Sequence, residues 1–588
     1  MSGSVIVETA YGPVVGIDDS GCNPKLNSIG RQTFGKVPVR KFLGIPYGQA
    51  ERWKRVQPPT PWTEPLICHQ FGPSLPQFPF TPFDRFYSTP ILVKSQSVQS
   101  DQKGFTVNIF CSPETKEGDN VPVLGWVYGG ALLHGCSSIE MYDPTEWVRR
   151  EASKGNKFIV VTGNFRMNLL GFLACSDLAE EDPDGLAGNY GAYDCIAYFQ
   201  WIQKNIAKFG GDPNNVTAFG ESAGAFLLTH LMLCKEKLFR RVILQSGAPK
   251  TCSYMSMETH EKVYEGLLQK ASIKAESGAA RLKALRDMPI EELISHLSVS
   301  VREVAMVVEN GSCSKAIWSE PCTLSRLKAG HWSSHIESAI IGVCKDEGAI
   351  LSYVSQSHTP AGYKFVQQEF LAGVTEQELG PLYDHPNQAE IDNPPSGSTL
   401  DLTRCSGAIA MSDKLFNAPV ELFLGALDEA KNEETQKPLS MYSYMLEGTA
   451  VESMPPGLFF GAAHTVDVAL LFNMSHCWAP DSESAKVSAT LGNTWYKFAR
   501  DGSPGLDWPE YQRQSSPYRL VFHQDGGSSI QDLRDRPEIE KQRIKFWVDQ
   551  LQLNQFWQPP PPRIGILDSS SADSSEGTDE KNHNKTIL

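Results

Sequence analysis

Apolar residues along this chain fall into short solid blocks rather than strict alternation. Val123–Tyr128, Phe158–Thr162, Val216–Phe219, Val242–Gln245, Ala339–Val343 and Met441–Leu446 are the clearest. Their length and their Val, Ile and Leu content predict strands buried on both faces. Longer stretches with helical spacing, Tyr193–Phe209 and Ala225–Cys234, lie between some of them. Strands alternating with helices predict an α/β architecture: a mostly parallel central sheet covered on both faces. The first residues, Ser4-Val-Ile-Val7, alternate as a further strand. Met257–Leu297 is helical in pattern and follows a core strand, so it is assigned to a cap above the sheet.

The remaining segments are peripheral. Residues 56–100 are rich in Pro, Phe and Ser without periodicity and predict a long surface loop. Beyond Trp557 comes Pro559–Pro562, then a Ser/Asp/Glu stretch in which Asp568–Leu588 carries five acids against two bases. That tail has too little apolar content to fold and is expected to be disordered. No repeat of 20 to 50 residues is visible. The organisation predicted is one domain over 1–557, with cap insertions at about 56–100 and 255–335, and a tail over 558–588.

Composition narrows the function classes. The chain has 588 residues, 41% hydrophobic and 21% charged, ordinary for a globular protein. Its net charge of −15 disfavours a nucleic-acid partner, because an acidic surface repels phosphates. No run of about 18 apolar residues predicts a membrane span. The first residues lack the basic and apolar regions of a secretory signal. Thirteen cysteines, an odd count without metal-ligand spacing, fit free thiols in a reducing compartment. Cytoplasmic localisation is expected.

The most informative pentapeptide is Gly220-Glu221-Ser222-Ala223-Gly224. A predicted strand, Asn215–Phe219, precedes it and a predicted helix from Ala225 follows. G-x-S-x-G between strand and helix is the nucleophile elbow of α/β-hydrolases. Small residues flank the serine because the backbone turns sharply and lifts Oγ clear of the sheet. The helix N-terminus then faces developing negative charge, so the Ala223 N–H is a candidate oxyanion donor. Upstream, the strand Val123–Tyr128 runs into Gly129-Gly130-Ala131-Leu132, where glycines would let main-chain N–H groups approach the same charge.

Taken in order, Phe42–Tyr47, Tyr128–Leu132, Asn164–Phe172, Gly188–Gly191, Phe209–Thr217, Gly220–Gly224, Gln245-Ser-Gly247, Asp346-Glu-Gly348 and Trp508-Pro resemble the type B carboxylesterase/lipase family. That family includes cholinesterases and some fungal lipases, and the chain is most similar to a fungal-type intracellular member. The motifs run in family order over nearly the whole chain before the tail. The resemblance implies one α/β-hydrolase domain with large insertions, acting without metal or cofactor.

A serine hydroxyl needs an imidazole base oriented by a carboxylate, and in this fold the chain order is serine, acid, histidine. Among thirteen histidines, His464 sits in the small-residue loop Phe460-Gly-Ala-Ala-His-Thr-Val-Asp467. His385 lies in a polar loop, and His476 lacks a glycine-bearing approach. The resemblance selects His464, although the family's usual residue three positions on is Glu rather than Asp467. For the acid, Asp346 and Glu347 both follow the strand ending at Cys344. The resemblance selects Glu347, with Asp346 as a helix or turn cap. It also marks Glu221 and Ser246 as supporting residues, Ser246 by a hydrogen bond near the acid.

These residues imply a serine carboxylic-ester hydrolase with catalytic Ser222, Glu347 and His464, and oxyanion donors on Gly130, Ala131 and Ala223. The substrate expected is a small to medium, largely apolar ester, with Leu132 and Leu133 lining its pocket. The alternatives are a hydrolase of a bulky natural-product ester or lactone, and a non-catalytic protein on the same fold. Three departures from the family bear on this. Ala131 stands for the third glycine of Gly-Gly-Gly. Leu75 and Gly104 stand where secreted members carry an early disulfide. The segment 75–108 has no tryptophan, which disfavours quaternary-ammonium substrates; its Phe78, Phe80, Phe83, Phe86 and Tyr87 are assigned to fastening the loop.

Overall fold

Thirteen strands form one sheet in a computed structural model of the protein. The structure describes residues 4–20, 37–78, 99–252, 254–297, 300, 303–309, 311, 313–320, 323–371, 373–383, 400–450, 458–474, 478–505 and 507–553. The strands are β1 Ser4–Glu8, β2 Pro13–Asp19, β3 Val39–Pro46, β4 Leu66–Ile67, β5 Thr106–Cys111, β6 Val121–Val127 and β7 Ile159–Gly163. Then follow β8 Gly211–Glu221, β9 Arg241–Gln245, β10 Ser338–Cys344, β11 Ser440–Leu446, β12 Tyr518–Phe522 and β13 Ser528–Asp532. Their spatial order is β1-β2-β3-β5-β7-β6-β8-β9-β10-β11-β12-β13, with β4 beside β2.

The seven strands from β7 to β12 are mutually parallel, and antiparallel strands flank them. Every residue of β6, β7, β9 and β10 is buried, which is why these strands are solid apolar blocks in the sequence. All six strands predicted from the apolar blocks are present. The helices fall at Tyr190–Asn205 (α1) and Ala223–Leu231 (α2), and Met257–Leu297 resolves into three, Met257–Lys270, Gly278–Asp287 and Ile290–His296. This is the α/β-hydrolase fold.

The peripheral segments differ more from expectation. Residues 56–78 are not simply a surface loop: Cys68 and Ser74–Gln77 are buried, and β4 joins the sheet. Leu75 packs straight against Gly104, where a built Cβ would sit 2.8 Å from its Cδ2. A second helical insertion, which no pattern in the sequence marks, fills the chain between β10 and β11. It includes α3 Gly348–Ser355, α4 Ser406–Ser412, a π-turn Asp413–Asn417 and α5 Ala418–Leu427. It shares an apolar cluster with the last described helix, α6 Glu538–Leu553, around Val366, Met411 and Trp547. The tail 558–588, the rival histidines 385 and 476, and Phe80, Phe83, Phe86 and Tyr87 lie outside the described residues.

Candidate active site

The elbow forms where β8 ends. Ser222 has φ 56° and ψ −125°, a strained conformation for a residue with a Cβ, and α2 begins at the next residue. The strain is held from both sides. The Ser222 N–H donates to the Gln245 carbonyl at the end of β9 (2.8 Å), and the Phe226 N–H donates to the Ser222 carbonyl (2.9 Å). Gly224 is required by contact: a Cβ there would lie 2.1 Å from the Val127 carbonyl oxygen and 2.7 Å from that of Tyr128. The elbow therefore packs backbone to backbone against the end of β6.

That packing brings the glycine loop to the serine. A Cβ on Gly129 would fall 2.9 Å from the Ser222 Cβ and 2.6 Å from Glu221 Oε2. Gly130, Ala131 and Leu132 follow with φ of 105°, 56° and 62°. The left-handed run is pinned by the Leu132 carbonyl, which accepts from the Asn168 N–H (2.6 Å). Leu132 is fully buried in the core, whereas Leu133 is half-buried.

Glu347 and His464 meet although 117 positions separate them. Glu347 follows β10, is fully buried, and accepts from the Cys344 N–H through Oε1 (2.7 Å). Its Oε2 faces His464 Nδ1 at 2.6 Å. The Nε2 of His464 lies 3.0 Å from Glu221 Oε1. That oxygen has no aligned hydrogen bond, so the contact is Coulombic. Among the described residues, no hydrogen bond joins Ser222 Oγ to the imidazole. Burial alone pulls the His464 pKa down, but Glu221 and then Glu347 outweigh it and hold it well above the ordinary imidazole range.

Supporting residues differ from expectation. Asp346 is not a helix cap. Its Oδ2 accepts from the Ala462 N–H (2.9 Å) and its own N–H donates to the Ala462 carbonyl (2.9 Å), clamping the histidine loop. Ser246 is buried with φ 52°, but its Oγ has no hydrogen-bond partner among the described residues, so the expected bond near the acid is not formed. Asp467, missed as a site residue, is fully buried and accepts from Gln245 Nε2 (2.8 Å) and the Tyr444 hydroxyl (3.1 Å). Burial first, then Glu221, pushes its carboxyl up to about 7. Phe416 lies tilted against His464 with ring centroids 4.4 Å apart. The sequence signal for Asp467 is its place three residues after the histidine; Phe416 has none.

A buried imidazole gripped by one carboxylate at Nδ1, with Nε2 on the residue that precedes a strained serine, suits nucleophilic acyl transfer. Comparison with known proteins agrees. The chain is 26% identical over 563 residues to the para-nitrobenzyl esterase of Bacillus subtilis, covering 92% of this chain and 98% of that one. It is 24% identical over 587 residues to carboxylesterase 1E of Mus musculus, covering 91% and 94%. A shorter match, 37% over 214 residues, covers 35% of this chain and 36% of the fumonisin B1 esterase of Sphingopyxis macrogoltabida. The sequence profile of the carboxylesterase family matches residues 4–547, and this chain, a carboxylic ester hydrolase, belongs to that family.

Proposed function

We propose that Ser222, His464 and Glu347 form a Ser–His–Glu triad that hydrolyses small to medium, largely apolar esters in the cytoplasm. The observation carrying this is the 2.6 Å contact between His464 Nδ1 and Glu347, next to a serine in strained elbow geometry. Glu347 fixes the tautomer that leaves Nε2 to act as base. For the first step Nε2 moves from Glu221 to the neighbouring Ser222 Oγ and takes its proton as Oγ bonds to the ester carbonyl carbon. The N–H groups of Gly130, Ala131 and Ala223 hold the resulting oxyanion. The ester C–O bond breaks, and the alcohol leaves with the proton from Nε2. Water then attacks the acyl carbon and gives its proton to Nε2, which returns that proton to Ser222 Oγ as the Oγ–acyl bond breaks and the acid departs.

The apolar preference rests on half-buried Leu133 beside the glycine loop and on Phe416 against the imidazole. The compartment reading rests on the cysteine pattern and on Leu75 filling the space at Gly104. The partial match to fumonisin B1 esterase favours one second reading, a bulky natural-product ester as substrate. A fluorophosphonate probe followed by intact and peptide mass tests the core claim. One adduct on Ser222, absent in Ser222→Ala, is expected; labelling elsewhere, or full turnover by Ser222→Ala, overturns it. A panel of p-nitrophenyl esters of increasing acyl length, set beside bulky esters and lactones, then separates the two substrate readings.

A further inference from the structure

The second helical insertion contains an irregularity aimed at the triad. Helix α4 passes through the π-turn Asp413–Asn417 into α5, whose first turn contains Pro419. Proline has no N–H and its ring crowds the preceding turn, so a regular α-helical ladder cannot run through this point. A π-turn adds one residue to the turn and re-aims the side chains around it.

The two sides of the turn hold different partners. Toward the site, Ser412 Oγ accepts from the N–H of Gly348, the residue after Glu347 (2.8 Å), and Phe416 lies on the His464 ring with a 38° tilt. A Cβ on Gly348 would be 2.0 Å from the Ala408 carbonyl, so α3 and α4 touch through bare backbone. Away from the site, Asp413 Oδ2 accepts from the Tyr383 hydroxyl (2.9 Å) and pairs with Arg543 Nε of α6 (3.1 Å). Asp413 Oδ1 accepts from Asn417 Nδ2 (3.0 Å), and Trp547 Nε1 of α6 donates to the Tyr383 oxygen (2.8 Å). Asp413, Phe416, Tyr383 and Trp547 are all buried.

We propose that the π-turn seats the Glu347–His464 pair, and that Phe416 is a positioning residue for His464, held in place by the ties of Asp413 to Tyr383 and the C-terminal helix. This rests on the triad reading above. A single bond at Nδ1 leaves the imidazole free to pivot about that atom. A flat ring at van der Waals contact restricts the pivot, so that Nε2 swings only between Glu221 and Ser222. Tyr383 and Trp547, which touch neither member of the pair, act through the turn.

The test uses the full-length protein, with wild-type labelling at Ser222 established first; a wild type unlabelled there refutes the triad and not this proposal. With p-nitrophenyl butyrate, Phe416→Ala is expected to lower kcat and the fluorophosphonate labelling rate at Ser222 together, by roughly 10- to 100-fold, with KM within about twofold. The acid limb of the kcat/KM profile should move as well. Phe416→Tyr, which keeps the flat ring, should restore kcat to within about threefold. Tyr383→Phe should lower kcat by about threefold to tenfold without moving KM, and Tyr383→Phe/Phe416→Ala should be no slower than Phe416→Ala alone. Unchanged kcat and pH limb in Phe416→Ala, a change in KM alone, or additive effects in the double variant would each overturn the proposal. Should Phe416→Ala not fold, Tyr383→Phe decides instead: kcat within experimental error of wild type refutes the relay.

Discussion

His464 Nε2 stands 3.0 Å from Oε1 of Glu221, the residue immediately before the elbow serine, while its Nδ1 is held 2.6 Å from Glu347. One imidazole therefore lies between two buried carboxylates. This favours the imidazolium, yet a general base must be neutral to take the serine proton.

The pH dependence follows with a definite sign. Because the folded pKa of His464 is raised, kcat/KM should fall as pH drops through a value above the ordinary 6.5. Glu221→Gln removes one of the two carboxylates that hold the imidazolium and should move that limb to lower pH. The plateau rate should fall by up to about tenfold, since the imidazolium formed during attack loses a partner. The stability contribution of the charged ring is present below the unfolded pKa and lost as pH rises through the folded one. A limb unmoved in Glu221→Gln would show that the 3.0 Å contact does not govern titration.

Ala131 occupies a left-handed conformation that glycine adopts without cost. Ala131→Gly is expected to relieve about 1 kcal/mol of local strain, partly offset by the greater freedom of the unfolded chain. Stability should stay within about 1 kcal/mol of wild type while turnover of bulkier acyl groups rises, because the methyl is removed from the donor loop. Urea midpoints and a series of acyl chain lengths check both halves. Marked destabilisation would mean that the methyl makes contacts worth more than the strain.

Leu75 against Gly104 offers an engineering test of the correspondence with the disulfide of secreted members. The pair Leu75→Cys/Gly104→Cys should oxidise spontaneously, since a Cβ at 104 already lies in contact with the side chain at 75. Reduced, the variant should lose about 2–5 kcal/mol from the missing leucine. Oxidised, closing a loop of roughly thirty residues should return about 3.6 kcal/mol. Thiol titration and melting with and without reductant read the difference; two free thiols after air oxidation would place these residues differently.

Acid should unfold the protein through three buried histidines. Burial pushes His134 down to about 3, and His230 and His260 down to about 4. A lowered folded pKa means stability is full above about 6.5 and is lost as pH falls toward the folded values, on the order of 3 kcal/mol for each group. His260 sits in the helix Met257–Lys270, and both of its ring nitrogens are buried without a hydrogen-bond partner among the described residues. His260→Leu should therefore narrow the gap between urea stabilities at about pH 7.5 and about pH 5, with little change at the higher value. An unchanged gap would rule out His260 as a source of acid sensitivity.

The places where sequence and structure agree or part have local causes. The elbow is legible because strand, strained turn and helix are contiguous, so Gly220 and Gly224 mark a steric need that the chain itself creates. Asp346 reads as a cap because its real partner, Ala462, lies 116 positions away. The insertion between β10 and β11 divides its apolar residues between two clusters, Phe416, Val420, Phe423 and Leu424 on the main core and Val366 and Met411 with α6, a partition that only tertiary packing sets.

The sequence alone determined the layered α/β plan and its strands, since backbone hydrogen bonding and burial on both faces leave a period-free apolar signature. It also singled out the elbow serine and, through family order, the carboxylate and imidazole that the structure brings into contact. Only the tertiary structure decided that Nε2 faces Glu221, that Asp346 clamps the histidine loop, and that a π-turn carries Phe416 to the imidazole. Those are contacts between elements far apart in the chain, fixed by how sheet, insertion and C-terminal helix pack, and no local pattern encodes them.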